Sequence, residues 1–327
     1  MSISPEQIVS LRHIKSQAFF EIVYSWEDII AKEMNIPIIG EHPLVDKKWV
    51  KCIPFLPKII QTGKPSLIFE MNPRLRNRAN NKKNIIPYII DFHITDKRIG
   101  RFPTQYAHNP IVLISNKEAV VKLQNLGLDK KGHFKHLALS LPDNWKITPD
   151  THFEKKVDII IGVGRSSPVL TEYMKRYIAE HPDMTYATSR EEDGKQVFYT
   201  NKGEYLGLSK TREDYQQLLR TARCFLYSTP GIDGGEVRTK GYNQVTPRFL
   251  EHMACGCNPV MRYKANPDTE YYELEKFCPS INTYEEFTAA MDKARSTKPD
   301  MAALSAYLEK HYTSTRVREL RELLRQN

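Results

Sequence analysis

Short apolar runs rich in β-branched residues alternate with helix-period segments along the whole chain. That alternation restricts the fold more than any other feature. In the first half the strand candidates are Ser66–Glu70 (SLIFE), 85–91 (IIPYIID) and 111–115 (IVLIS), with helical patterns over 19–34 and 117–126. In the second half 157–163 (VDIIIGV) precedes a helix near 168–180. Tyr205–Leu208, a helix near 212–222 and a strand at 224–227 follow. Strands separated by helical crossovers pair in parallel, so the expectation is an α/β chain with mainly parallel sheets. Pro87 has no N–H to give a ladder, which makes 85–91 imperfect as a central strand. The tail 301–325 reads as one amphipathic helix, with Leu304, Leu308, Tyr312 and Val317 on its apolar stripe.

A length of 327 residues supports two separate cores. The connection is expected within 142–156, a polar stretch holding Pro142 and Pro149. The expected division is 1–148 and 149–300, with 301–327 as a terminal helix able to pack back toward the first domain. Apolar residues make up 40% of the chain and charged residues 27%, with a mean hydropathy of −0.52. No apolar run approaches the ~20 residues that span a bilayer. The polar start, with Glu6, is not a secretory signal. Cys52, Cys224, Cys255, Cys257 and Cys278 are odd in number and scattered, which reads as reduced thiols of a cytoplasmic protein. Cys255-Gly-Cys257 lacks the second Cys or His pair of a zinc site.

Charge is uneven. Residues 1–150 carry 22 Lys and Arg against 14 Asp and Glu, whereas residues 151–327 carry 26 against 25. The first half is therefore expected to meet an anionic partner. The stretch from Trp49 to Lys58, then Arg74, Arg76, Arg78, Lys82 and Lys83, mixes apolar anchors with cations as a peripheral contact with an anionic membrane would. A buried helix beside a solvated basic loop reads the same way. No RRM, KH or zinc-finger signature is present, and nucleic acid is not expected as a partner.

The stretch 242–261, YNQVTPRFLEHMACGCNPVM, compresses a loop, a helix and a strand into twenty residues. Thr246 is placed as N-cap and Pro247 at the first helical position. The free N–H groups of such a turn favour an anion, and Arg248 adds a fork-shaped donor for phosphate oxygens. Glu251, one turn on, can accept from a vicinal diol. Gly256 supplies the backbone freedom that helix ends use. Gly164 and Arg165 follow the first strand of the second half, where open α/β sheets bind ligands. Neither a dinucleotide fingerprint nor a Walker A motif is formed there. Asp91 and His93, two apart at a strand end, are expected to share a face, with His93 bonding sugar hydroxyls or accepting a proton near neutral pH. His108 is expected at the surface.

The run Val245-Thr-Pro-Arg-Phe-Leu-Glu-His-Met-Ala-Cys-Gly-Cys-Asn-Pro-Val260 resembles the C-terminal signature of GT-B glycosyltransferases of the group 1 type, whose motif reads E-x7-E. Upstream, Glu204 to Leu208, Asp214 to Ser228 and Val163-Gly-Arg165 are similar to further stretches of that family. The resemblance covers about 157–262 well and 84–143 weakly. It implies two Rossmann-like α/β domains facing a central cleft. The N-terminal domain would bind the acceptor and the C-terminal domain the nucleotide-sugar. It also implies a hexosyltransferase-like enzyme, metal-independent and retaining. Such an enzyme passes sugar from a nucleotide-sugar to a saccharide or lipid-linked saccharide acceptor, in cell-envelope or capsular polysaccharide synthesis. No cofactor beyond the donor is implied, and the location is the cytoplasm or the inner membrane face.

By the same resemblance Glu251 matches the second Glu, which binds the donor ribose, and Arg165 with Gly164 matches the diphosphate turn. The first Glu falls at Asn243, an uncharged amide that still bonds sugar hydroxyls. The companion Lys of the family is replaced by Leu170, leaving Lys240 or Arg248 to substitute. Gly207 and Leu208 match the nucleobase loop, and His93 matches the cleft histidine. His93 and Asn243 are thus the catalytic candidates. Gly164, Arg165, Gly207, Leu208, Lys240, Gly241, Tyr242, Thr246, Arg248 and Glu251 form the donor-binding set. The alternative reading is a non-catalytic nucleotide- or sugar-binding protein derived from such an enzyme.

Overall fold

The computed structural model describes residues 4–10, 12, 20–40, 63–73, 81–163 and 166–326. The chain forms two compact units. Unit 1 comprises Met1–Asp143, Arg238–Tyr242 and Tyr312–Asn327; unit 2 comprises Asn144–Val237 and Asn243–His311. The principal helices are α1 (Glu21–Met34), α2 (Lys117–Asn125), α3 (Pro168–Glu180) and α4 (Arg212–Arg220). They continue as α5 (Pro247–Ala254), α6 (Tyr284–Ser296), α7 (Met301–Leu308) and α8 (Thr313–Arg325). Among the described residues no helix is long and apolar enough to cross a membrane.

Unit 1 holds β1 (Gln7–Ser10), β2 (Ile38–Gly40), β3 (Ser66–Glu70), β4 (Ile85–Ile89), β5 (Val112–Ile114) and β6 (Phe134–His136), in the order β2-β1-β3-β4-β5-β6. Every pairing is parallel. β3 and β4 are buried at every residue, as expected of strands covered on both faces. Pro87 is accommodated in β4 because the ladder to β5 begins one residue later, at Tyr88↔Leu113. On α1 the buried Val23, Trp26, Glu27, Ile30 and Ala31 follow helical spacing. Trp26 Nε1 donates to Ser140 O at 3.0 Å. Val317, Leu320 and Leu324 of α8 join Val23, Trp26 and Leu67 in one core. Burying each such side chain contributes about 1.5–3 kcal/mol.

Unit 2 holds β7 (Val157–Ile160), β8 (Tyr186–Glu192), β9 (Lys195–Thr200), β10 (Tyr205–Leu208), β11 (Ala222–Ser228) and β12 (Asn258–Arg262), in the order β10-β9-β8-β7-β11-β12. β8, β7, β11 and β12 run parallel, while β9 and β10 are antiparallel additions. From β7 the chain goes first to β8 on one side and later to β11 on the other. The β7–β11 gap is therefore where the winding direction reverses. Open α/β sheets bind ligands at the carboxyl ends of strands flanking such a point.

The two sheets establish the α/β class and the mainly parallel pairing. Two local readings are corrected, and one hairpin was not anticipated. The tail is two helices, α7 in unit 2 and α8 in unit 1, because Tyr312 turns extended and bridges Leu141. β4 ends at Ile89, so Asp91 and His93 lie in the loop after it and the shared-face argument for a strand does not apply. The β8–β9 hairpin turns at Asp193 and Gly194, both with positive φ (49° and 71°), a two-residue turn signal in an unexpected antiparallel pair.

Candidate functional site

The carboxyl ends of β7 and β11 in unit 2 border two cavities. One, of about 390 Å³, is lined by Ser166, Ser167, Ser228, Thr229, Gly235 and Glu236. The other, of about 220 Å³, is lined by Val163, Ser166, Met174, Phe225, Arg248 and His252 among others. Ser166 borders both, directly after Gly164 and Arg165, which themselves lie outside the described residues. α3 starts here: Ser167 is its N-cap and accepts from Leu170 N at 3.1 Å, with Pro168 at the first position. Pro168 has no N–H and Leu170 N is already bonded, so this turn offers the Val169 N–H and a positive dipole end. Ser228 is 7% exposed, and among the described residues its hydroxyl has no hydrogen-bond partner. The loop beyond it is fixed by a two-pronged ion pair, Arg262 Nε to Asp233 Oδ2 at 2.7 Å and Nη2 to Oδ1 at 2.8 Å. That pairing also holds the Asp233 carboxyl below its usual range.

The 243–246 loop is pinned from four sides. Thr229 Oγ1 donates to Asn243 Oδ1 at 2.8 Å, and Asn266 Nδ2 donates to Asn243 O at 3.1 Å. Val245 N donates to the buried Asp268 at 2.5 Å, and Thr246 N to the Tyr227 hydroxyl at 3.0 Å. Asn243 is consequently buried, with its amide oxygen engaged inside unit 2. Thr246 is the N-cap of α5 by backbone geometry but makes no side-chain cap bond. At the other end Gly256 has φ +61°, the left-handed turn expected there.

Glu251 is buried and paired with Arg212, whose guanidinium lies 5.5 Å from the Trp145 ring centroid and 5.1 Å from that of Tyr215. The carboxylate thus already has a partner on α4. Arg248 bonds Tyr215, and its Nε approaches His252 Nε2 at 3.4 Å. Burial lowers the pKa of Arg248 and pulls that of His252 well below the ordinary value, with Arg248 next in the latter case. His252 is therefore a neutral ring, stacked on Phe225 at 4.3 Å, and its Nδ1 has no partner among the described residues. Cys255 and Cys257 are buried, and their thiols point at main-chain carbonyls of Gln216, Leu219 and Ala222. Burial pushes both thiols up, which makes them packing groups rather than ligands.

The remaining candidates sit elsewhere. Gly207 and Leu208 lie on β10, the edge strand of unit 2, with β9, β8 and β7 between it and β11. Lys240, Gly241 and Tyr242 belong to unit 1. Lys240 has φ +58° and is exposed. Tyr242 is buried against Phe92 at 5.4 Å with Lys122 Nζ 5.1 Å from its ring centroid. His93, half-buried in the same unit, is lowered to about 4 by burial and then by Arg238 and Lys240. A ring that weakly basic is neutral at pH 7 and acts better as a hydrogen-bonding group than as a base, so proton acceptance near neutrality is not favoured. His108 is exposed, as expected. Cys52, the 49–60 stretch and Arg74, Arg76 and Arg78 lie outside the described residues.

Sequence reasoning passed over Ser166, Ser228, Thr229 and Arg212. A signal for Ser228 and Thr229 exists in Ser228-Thr-Pro-Gly-Ile-Asp-Gly-Gly235, a Gly- and Pro-rich loop directly after an apolar strand, and one for Ser166 in the turn after the first strand of the second half. Arg212 carries no such signal, because its pairing with Glu251 spans 39 residues. No protein-family model matches the chain, and no curated protein matches it.

Proposed function

We propose that the chain is a glycosyltransferase of the GT-B type, with unit 2 holding the nucleotide-sugar. The observation that carries this reading is the open cavity at the reversal point of the unit 2 sheet. There the N-terminus of α3 and the hydroxyl of Ser228, which has no partner among the described residues, meet a lining rich in Ser, Thr, Pro and Gly. A diphosphate suits the helix terminus and the hydroxyls. During transfer the bond between the anomeric carbon and the phosphate breaks, and charge grows on the departing diphosphate. The Val169 N–H and the positive end of α3 would stabilise that charge, with Arg248 on the lining of the neighbouring cavity. Arg165 belongs in the same role by its resemblance to the family turn. His93 would bond a sugar hydroxyl as a neutral ring. Asn243, held by Thr229, would set the shape of the donor pocket. The acceptor is proposed to be a saccharide or lipid-linked saccharide, met through the basic first half, with peripheral contact at an anionic membrane.

A non-catalytic nucleotide- or sugar-binding role is the second reading. The pairing of Glu251 with Arg212 favours it, since the carboxylate that would hold the ribose is already engaged. A calorimetric panel of UDP-, GDP-, ADP-, CMP- and dTDP-sugars separates these cases. The transferase reading expects one donor to bind with its affinity reduced several-fold in Ser228→Ala, and slow donor hydrolysis without acceptor. Binding without turnover supports the second reading. Absence of binding by every donor would remove both.

A further inference from the structure

At the opposite, amino ends of β7 and β11, unit 2 contains another cavity, of about 290 Å³. Its walls include Phe153, Lys155, Arg223, Lys298, Pro299 and Met301. Lys155 is the unusual member. Its ammonium donates to Cys255 O at 2.7 Å, at the C-terminal end of α5, and otherwise only approaches Cys257 Sγ at 3.9 Å. An ammonium has three donors, so one good bond leaves it under-satisfied in a largely enclosed place. Burial accordingly pulls its pKa below the ordinary lysine value. A second cation reinforces the field. Arg220 stacks over Phe153 at 5.1 Å, with its Nε buried and without a partner among the described residues. Lys155 lies over the same ring at 5.6 Å. Of the charges on the lining, Lys155, Arg223 and Lys298 are basic and Glu154 alone is acidic. Arg223 is partly neutralised by Asp158 at 3.6 Å.

A half-buried cation with unmet donors beside a partly apolar cavity is the complement of a small anion with an apolar body. We propose that this cavity binds an organic monocarboxylate, its carboxylate on Lys155 and its hydrocarbon part against Phe153, Pro299 and Met301. A phosphate dianion fits poorly, because Arg223 is engaged by Asp158, Lys298 is exposed, and Phe153, Pro299 and Met301 make much of the remaining wall apolar. The site is independent of the glycosyltransferase reading.

Isothermal calorimetry of the full chain with octanoate, benzoate and inorganic phosphate tests it. At least one of the two carboxylates binds saturably, and phosphate does not. Lys155→Met weakens that binding ~10-fold or more. Because that change also removes the contact at the end of α5, Lys298→Glu provides a second reading. Lys298 is exposed and makes no ion pair among the described residues, so the fold is kept while carboxylate affinity falls ~3-fold. No saturable binding up to about 10 mM, an affinity range still accessible to a single charged contact, overturns the proposal. Binding left unchanged by both substitutions, or phosphate binding as tightly as the carboxylates, overturns it as well.

Discussion

In unit 1 most polar side chains at the carboxyl ends of the described strands are satisfied within their own unit; the exception is the buried Asn116, whose Oδ1 caps α2 while its Nδ2 has no partner among the described residues. Ser10 donates to Glu27 at 2.5 Å, and Arg12 pairs with the same carboxylate at 3.0 Å. Glu70 accepts from the Tyr106 hydroxyl at 2.6 Å, and Ser115 donates to Ile90 O. In unit 2 the corresponding ends border two cavities and carry a serine without a partner among the described residues. Both units hold wound, mainly parallel sheets with a reversal point, β1–β3 in one and β7–β11 in the other. Shared topology thus leaves the chemistry undecided. Whether the strand-end polar groups are spent internally separates a closed edge from one prepared for a ligand.

The sharpest way to break this comparison is to weaken each unit at its own support. Leu320→Ala on α8 opens a void in the unit 1 core and should cost about 3–4 kcal/mol in denaturant titration. A loss under about 1 kcal/mol would mean that α8 is peripheral to that core. Glu251→Ala strands Arg212 beside Trp145 and should cost about 2–3 kcal/mol, while Arg212→Met/Glu251→Met recovers most of it. Failure of the double variant to recover would show that Glu251 does more than satisfy Arg212.

Acid should act on unit 1 through its histidines. His93 and His136 are lowered to about 4 and about 3, in both cases chiefly by burial. The unfolded chain takes up these protons first as pH falls. Their stability contribution is therefore complete above the ordinary histidine value of about 6.5, and is lost progressively toward the folded values. Imidazole NMR at about pH 5.5 should find both rings neutral; a midpoint near 6.5 for either removes it from this account. The smallest effect is expected from Gly256→Ala, about 1–2 kcal/mol. Its φ of +61° strains any Cβ, which would also meet Met301 Sδ at 3.2 Å. An unchanged midpoint would show that the α5 end relaxes freely.

Much of the frame was legible from residue pattern. Ser66–Glu70, Pro168–Glu180 and Tyr205–Leu208 form the elements expected there, because each is bounded by turn residues or a cap that the chain itself supplies. The 301–325 helix was misread because both of its parts are apolar on one side. What divides them is Tyr312 bridging Leu141, a contact 171 residues away that local periodicity cannot register. The site shows the same limit. Thr246, Pro247 and Gly256 could be placed by rule. The engagement of Glu251 by Arg212, and of Asn243 by Thr229, depends on which strands become neighbours.

The assignment of 312–327 to unit 1 reaches beyond packing. During synthesis every residue of unit 2 leaves the ribosome before α8 does. The unit 1 sheet must therefore wait with the apolar surface around Val23, Trp26 and Leu67 uncovered while a second sheet is being made. Residues 238–242 impose a shorter wait of the same kind, since Tyr242 arrives beside Phe92 long after its strand neighbours. A break at 143 yields two fragments, neither of which holds all the pieces of unit 1. For this chain, the order in which residues appear and the order in which cores close are different sequences.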